Sequence, residues 1–310
     1  MSSEVKVRPD VVPATRRRRI GRRRQLFWAI VFLAPAIASL IILRIAPTID
    51  AISSSLFKGF PGGIIPSVFA GLANYQQLFA DPTFIATIWR TIGFNLVINP
   101  LQIVIALLFA VLMTRRVKFS RLWTTLIFVP VAVPIVGSSI AWGTALGPQG
   151  PVNAIISALG GHPQQFFGSP QQALACIIVV FSWIGIGYWM LFLIAGIQAI
   201  PEELYEAARL DRAGPVRTLL QITIPLLKRP LLFVLVADTV ANFVAFVPIQ
   251  ILTNGGPQGS TTMLMFNAYQ TTFTYGSSNQ GAAQIAILTA IMLVFVLAQF
   301  WLLREERDGA

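Results

Sequence analysis

Asp238, Asn242 and Phe246 follow one another at intervals of four residues inside an apolar stretch, so on an α-helix they share one face. Carboxylate and amide groups bind hydroxyls, and an aromatic ring offers a flat apolar surface, so the set suits a hydroxyl-rich ligand. Asp238 lies ~14 Å along the helix from the start of its apolar segment, near the middle of a bilayer. An acid at that depth is costly and faces a bundle interior or a water-filled path. Two alternatives stay open: hydrogen bonds to neighbouring helices, and pairing of Asp238 with a cation on a partner chain. Trp183, Tyr188 and Trp189 form a second candidate set in another apolar segment, where stacking on a ligand competes with plain packing. Asn95 and Asn99 are a further i, i+4 polar pair, read as structural or close to the surface.

The other chemically distinctive stretch is a charged island between two long apolar segments. It opens with Pro201-Glu202-Glu203, which places proline and negative charge at the positive end of a helix dipole. It continues as Glu206-Ala207-Ala208-Arg209-Leu210, all good helix formers, then Asp211-Arg212-Ala213-Gly214, and closes at Ile222-Thr223-Ile224-Pro225. The small residues Ala207 and Ala208 suit a helix that lies close in a groove.

The elements that must hold these residues are membrane spans. The chain is 55% apolar and 11% charged, which excludes a disordered or ordinary soluble protein. Spans need ~20 apolar residues each. Six are expected, at about 26–47, 85–113, 120–146, 172–199, 229–252 and 282–303. The fold class is therefore all-α and polytopic. A basic amino-terminal tail, 1–25, is expected to be disordered, and 304–310 forms a second tail. Segments 59–66 and 147–151, rich in Gly and Pro, read as loops.

A net charge of +11 raises nucleic acid as a partner, but its distribution argues for a lipid membrane instead. The amino tail, the 114–121 loop, the 200–229 loop and the carboxyl tail hold 20 of the 23 Lys and Arg residues. Only Arg44, Lys58 and Arg90 fall on the other side. This asymmetry places both termini in the cytoplasm. The run of arginines at 16–24 abuts a span and reads as a topology anchor rather than a nucleic-acid arm or export signal. The lone Cys176 and lone His162 cannot build a histidine or cysteine metal cluster, and no metal or cofactor is expected. No G-x-x-x-x-G-K-[ST], G-x-S-x-G or H-E-x-x-H occurs, so no ATP-cradling loop or catalytic motif is present. Gly185-Ile186-Gly187 sits mid-span, where small residues permit close helix packing.

Glu206-Ala207-Ala208, with Asp211 five residues after the glutamate, Ala213 two further on, and Ile-x-Ile-Pro ending at Pro225, resembles the EAA loop of ABC importer permeases. Three fragments in matching order extend the resemblance: Gly71-Leu72-Ala73-Asn74-Tyr75 with Asp81-Pro82, then Asn99-Pro100-Leu101-Gln102, then Asn254-Gly255-Gly256-Pro257. The group most alike transports oligosaccharides, polyols and glycerol-phosphate compounds and is related to the maltose importer. The resemblance implies a type I importer permease fold over 26–303, in a bacterial plasma membrane. It also implies a second permease subunit, two separate ATPase subunits and an extracytoplasmic solute-binding protein. The ATPase would meet a cytoplasmic helix at about 200–217, with Glu206, Ala207, Ala208, Asp211, Arg212, Ala213, Gly214, Ile222 and Pro225 as the coupling set. One position departs: the family usually has glycine after the Asp, where this chain has Arg212. Glycine permits a positive φ, so the turn is expected to be made differently or one step later, at Gly214. The rival functions are an ion-coupled secondary transporter with Asp238 as its coupling site, and a membrane scaffold.

Overall fold

The computed structural model describes residues 22–59, 67–114 and 118–302. Residues 16–21 of the arginine run, most of the 59–66 loop and the tail at 304–310 lie outside them. The chain divides into two units, Met1–Asp50 and Ala51–Ala310. In the first, helix α1 (Arg22–Leu40) begins inside the segment expected to be a tail and runs on through a π-helical turn at Ile41–Ile45. Helix α2 (Ala46–Ser54) continues it, so the apolar helix Leu26–Ser54 is longer than the expected 26–47.

In the second unit a two-stranded antiparallel hairpin, β1 (Phe57–Lys58) and β2 (Val68–Phe69), precedes α3 (Ala73–Ala80) and α4 (Pro82–Thr114). Then follow α5 (Ser120–Ala132), α6 (Ile135–Ala145), α7 (Pro151–Ala158), a 3₁₀ turn at Phe166–Gly168 and α8 (Ala173–Gln198). The charged island holds α9 (Glu202–Leu210), α10 (Pro215–Thr218) and α11 (Ile224–Leu226). Last come α12 (Lys228–Phe243), α13 (Val247–Leu252), α14 (Leu264–Tyr269) and α15 (Ser278–Leu302).

Among the described residues five helical stretches are long and apolar enough to cross a bilayer: Leu26–Ser54, α4, α8, Lys228–Leu252 and α15. The expected third span, 120–146, is not one rod. It is α5 and α6 meeting at a bend of 100°. Prolines cause the bend. Val133 precedes Pro134, whose ring drives the preceding residue out of the helical region, and Val133 is extended at φ −87°, ψ 128°. The fifth span is also interrupted. Pro248 lacks the N–H that would bond to Val244, and the helix stops one turn before it, at Phe243.

Helices α4, α8 and α12 pack against one another, α5 packs on α8, and α15 packs on α12. In lipid, apolar burial supplies little drive between helices, so close fit and polar contacts must. Gly185 and Gly187 supply the close fit, as expected. A Cβ on Gly187 would run into the Ile127 carbonyl, so α8 and α5 touch backbone to backbone. A Cβ on Gly185 would lie 2.9 Å from the Gln102 side chain. Ala106 and Ala110 of α4 are fully buried against Met190 and Leu193 of α8, which carries the same logic toward the α9 end of the bundle.

At its other end α4 is capped by the Asp81-Pro82 pair. Pro82 occupies the first helical position and the Asp81 carboxylate accepts from the Thr83 amide at 2.9 Å and from the Thr83 hydroxyl. The hydroxyl, then the amide, hold the Asp81 carboxyl below its usual range. The stability this cap adds is present above the unfolded value of ~3.9 and is lost as pH falls through the lower folded value. Asp81→Ala is expected to cost about 1 kcal/mol at neutral pH, with Asp81→Asn retaining most of the cap. Thermal unfolding in detergent at neutral pH and in strong acid reads this out: the wild-type advantage over Asp81→Ala should shrink in acid to that of Asp81→Asn.

Candidate functional site

The interior of the bundle carries a polar seam. On α4, Thr87, Thr91, Asn95, Asn99 and Gln102 repeat at three- and four-residue steps, so they line one face, and all five are buried. On α12, Asp238, Thr239 and Asn242 are buried opposite them. Asn242 donates to Asn99 Oδ1 at 2.8 Å and to Gln102 Oε1 at 3.3 Å. Asn99 in turn donates to Thr239 Oγ1 at 3.0 Å, and Gln299 of α15 donates to the same hydroxyl at 2.7 Å. Further along α4, Asn95 donates to the Thr91 carbonyl, and the Thr91 hydroxyl accepts from the Leu264 amide at the start of α14. Four helices are joined through one continuous hydrogen-bonded set.

Asp238 leaves the seam and turns to α8. Its Oδ1 accepts from the indole N–H of Trp189 at 2.6 Å, while Oδ2 is buried with no hydrogen-bond partner among the described residues. Asp238 is 1% exposed and Asn242 5% exposed, so both face protein in this conformation. Asp238 thus bonds to a neighbouring helix of its own chain, the first of the two alternatives open from sequence. Phe246 does not continue the stripe. It follows the break in the fifth span, at φ −139°, ψ −59°, and stacks on Tyr269 with ring centroids 4.6 Å apart.

The three aromatics of α8 differ in burial. Tyr188 and Trp189 are neighbours whose rings meet edge-on with centroids 4.8 Å apart. Trp189 is buried at Asp238, whereas Tyr188 is exposed and packs on Phe192. Trp183 is exposed and packs edge-on against Trp142 of α6 at 5.7 Å. Sequence reasoning named Asn99 as structural and missed Gln102, Thr239 and Gln299. The four-residue rhythm of Thr and Asn on α4 could have pointed to Gln102. Nothing in the local spacing of α15 points to Gln299.

The charged island has a definite shape. It is not one helix over 200–217 but two, α9 and α10, joined by a turn at Asp211–Gly214. The α9 helix starts after Pro201 with Glu202 and Glu203 in its first turn and Arg209 in its last, matching the helix dipole at both ends. Arg212 takes the left-handed conformation itself, at φ 53°, whereas Gly214 is extended at φ −67°. The expectation that the turn is displaced to Gly214 is thus overturned. Two bonds explain why the turn stays in place: Ala213 N–H donates to the Ala208 carbonyl at 2.9 Å and Arg212 N–H to the Arg209 carbonyl at 3.1 Å. These are the two bonds of a Schellman helix end, which fixes a positive φ at that one residue whatever its side chain.

The coupling set divides by exposure. Glu206, Ala207, Asp211, Arg212, Gly214 and Pro225 are exposed, Ala213 and Ile222 half-buried, and Ala208 buried by its own chain. Ala208 is small because the chain packs on it, a reason separate from any groove on a partner. Beneath α9, Tyr205 and Thr223 share a hydrogen bond of 3.2 Å that ties the island to the π-helical turn at Leu219–Thr223. Gly196 lets the end of α8 touch Leu227 and Pro230 at the start of α12. The Arg209–Glu202 pair, 3.9 Å apart and open to solvent, adds little.

Residues 102–305 match a family described as binding-protein-dependent transport system inner membrane component. The permease protein UgpA of the sn-glycerol-3-phosphate transport system of Escherichia coli O157:H7 is 32% identical over 271 residues, covering 87% of this chain and 92% of its own. The permease protein SmoG of the sulfoquinovosyl glycerol transport system of Agrobacterium fabrum is 30% identical over 282 residues, covering 90% and 91%. Among solved structures, a chain of a bacterial alginate ABC transporter in complex with an alginate pentasaccharide-bound periplasmic protein superposes with a TM-score of 0.79. It is 21% identical, with 93% of this chain and 97% of that one covered.

Three substitutions check this geometry. Arg212→Gly relieves a side chain from the left-handed region and is expected to stabilise the end of α9 by up to about 1 kcal/mol, read as slower hydrogen exchange at the Ala213 amide. Trp189→Phe leaves Asp238 buried without its donor and is expected to destabilise the bundle by about 1–3 kcal/mol, read by thermal unfolding in detergent. Asp238→Asn keeps an acceptor for the indole and should melt within about 1 kcal/mol of wild type.

Proposed function

The chain belongs to the binding-protein-dependent transport system inner membrane component family, and on that premise we propose how it works as the membrane-spanning permease subunit of an ABC importer for a sugar, polyol or glycerol-phosphate-type solute. The chain is an inner-membrane component with several spans and is not itself an enzyme. In the proposed assembly it pairs with a second permease subunit, receives solute from an extracytoplasmic binding protein, and is driven by two separate ATPase subunits. Both termini lie in the cytoplasm of a bacterial cell, as the 20-to-3 charge split supports.

The observation that carries the coupling part is α9. A polar helix with two glutamates in its first turn and a two-bond helix end stands between two spans and presents Glu206, Ala207 and Arg212 outward, beside the exposed apolar side chains Leu204 and Leu210. A helix that exposes leucines among charged side chains is suited to lie in a groove of another protein. Closure of the ATPases on ATP would push this helix. The Tyr205–Thr223 bond and the Gly196 contact would carry the push to the ends of α8 and α12. The spans would then rock between inward- and outward-open states around the solute.

For the solute path, the seam supports a role for Asp238 and Asn242 only in a conformation that separates α12 from α4 and α8, because here both are closed into protein. Trp189 would be uncovered by the same movement. Trp183, Tyr188 and Phe246 are already accessible in part. An ion-coupled carrier with Asp238 as its coupling site is the less favoured reading. Family membership speaks against it, and so does a polar island in a place where an ion-coupled carrier needs none.

Ala207→Trp tests the docking. Ala207 is exposed, so the substitution should leave folding intact while reducing ATPase recovery with the purified permease, and ATP-driven uptake in vesicles, by at least about tenfold. Ala208→Trp should fail earlier, at folding, because that side chain is buried. Undiminished uptake by Ala207→Trp would overturn the docking. For orientation, a cysteine at the exposed Gln258 in a Cys176-free chain should label from outside, and one at Thr218 only after permeabilisation.

A further inference from the structure

At the end of the bundle away from α9 lies a cavity of about 670 Å³, formed by α6, the end of α13 and the loop that precedes α8. Its lining includes Ser139, Thr144, Gln164, Gln165, Phe167 and Leu252. We infer that this cavity is a binding site for an uncharged, polyhydroxylated solute of mono- or disaccharide size. The inference rests on the transport reading above and narrows its substrate class.

Size, chemistry and rigidity each support it. Small-molecule sites measure roughly 300–1,000 Å³, and this one falls inside that range. The lining offers the Gln165 amide and the Thr144 hydroxyl beside the Phe167 ring, the combination that binds hydroxyls along one edge of a sugar and its apolar face along another. The Thr144 hydroxyl donates to the Ile140 carbonyl of its own helix at 3.1 Å, which leaves its lone pair as an acceptor toward the cavity, whereas Ser139 is fully buried and only shapes the wall. Gln165 is exposed at the rim. No lining residue is Lys, Arg, His, Asp or Glu, so the lining holds no fixed cation to compensate a phosphate or sulfonate.

The loop over the cavity is held rather than free. Asn153, 2% exposed, donates to the carbonyls of Gly147 and Gln164 and accepts from the Gln164 amide at 2.7 Å. Gln172 accepts from the Phe166 amide at 2.9 Å and donates to Gln164 Oε1 at 2.7 Å. These bonds hold Phe166 at φ 44°, a conformation an aromatic residue rarely takes. Two buried or half-buried amides thus fix the loop into one shape, and that shape is what sets Gln165 and Phe167 at the cavity. A preformed wall of this kind lowers the ordering cost of binding.

The test is saturation-transfer NMR on the permease–ATPase complex in nanodiscs, with the extracytoplasmic receptor omitted so that only the membrane complex can bind. The probes are glucose, lactose and maltose, set against sn-glycerol 3-phosphate. At least one neutral probe should bind the wild type more strongly than the phosphate. Gln165→Ala, at an exposed position, should reduce that signal about five- to tenfold, and Thr144→Trp, which fills the cavity, should abolish it. Thermal unfolding checks that each variant is folded, and Gln165→Ala alone decides if Thr144→Trp is not. Stronger binding of the phosphate, no signal from any neutral probe, or an undiminished signal in Gln165→Ala overturns the inference. ATP-driven uptake by the complete reconstituted system is measured in parallel. Its absence would strike the transport reading, whereas the binding signals judge the cavity by themselves.

Discussion

A polar group inside a bilayer has no lipid atom to bond with, so donors and acceptors on these helices are costly unless they find a match in protein. The seam between α4 and α12 is the response to that constraint. Asn99, Gln102, Thr239 and Asn242 satisfy one another only at one relative height and rotation of the two helices. Trp189 and Asp238 then set α8 against α12, and Gln299 sets α15. Gly185 makes room on α8 for the Gln102 side chain of the seam, and Gly187 brings α8 against the backbone of α5. Apolar clusters fill the space above and below, but in lipid they specify less, because one leucine-lined face resembles another.

The charged island obeys a different physics. It lies where water is available, and its shape comes from helix ends. Proline and two glutamates start α9, and a two-bond helix end stops it. That ending demands one residue at positive φ, and the demand is strong enough to place an arginine there. The backbone pattern thus outlasts the residue type usually associated with it.

Much of the fold was legible in the sequence, and the residues show where legibility stopped. Long apolar segments gave the spans. The cap at Asp81-Pro82 is of the kind a sequence shows directly, because capping is local. Pro134 and Pro248 were equally visible, yet hydropathy windows count apolar residues and are blind to direction, so the 100° bend and the break before α13 were read as straight spans. The partners of Asp238 and Asn242 lie 49 to 143 residues away, and no local spacing encodes a contact of that separation. The same holds for the cavity loop, whose shape depends on Asn153 and Gln172 reaching across a turn. Exposure divided Ala207 from Ala208, although the two are chemically the same residue.

The elbow between α5 and α6 has a mechanical meaning. A straight helix resists compression along its axis and passes a displacement from one face of the membrane to the other nearly unchanged. Two short helices set at 100° cannot do this. A shift of the α5 end arrives at α6 as a swing about Val133 and Pro134, so its size at the far end depends on lever length rather than on stiffness. The α6 arm is eleven residues long and ends where Gly143 lies against Leu252 of α13. A small movement at Ser120 would therefore be felt as a change of angle at α13, in a direction that no rigid rod could deliver.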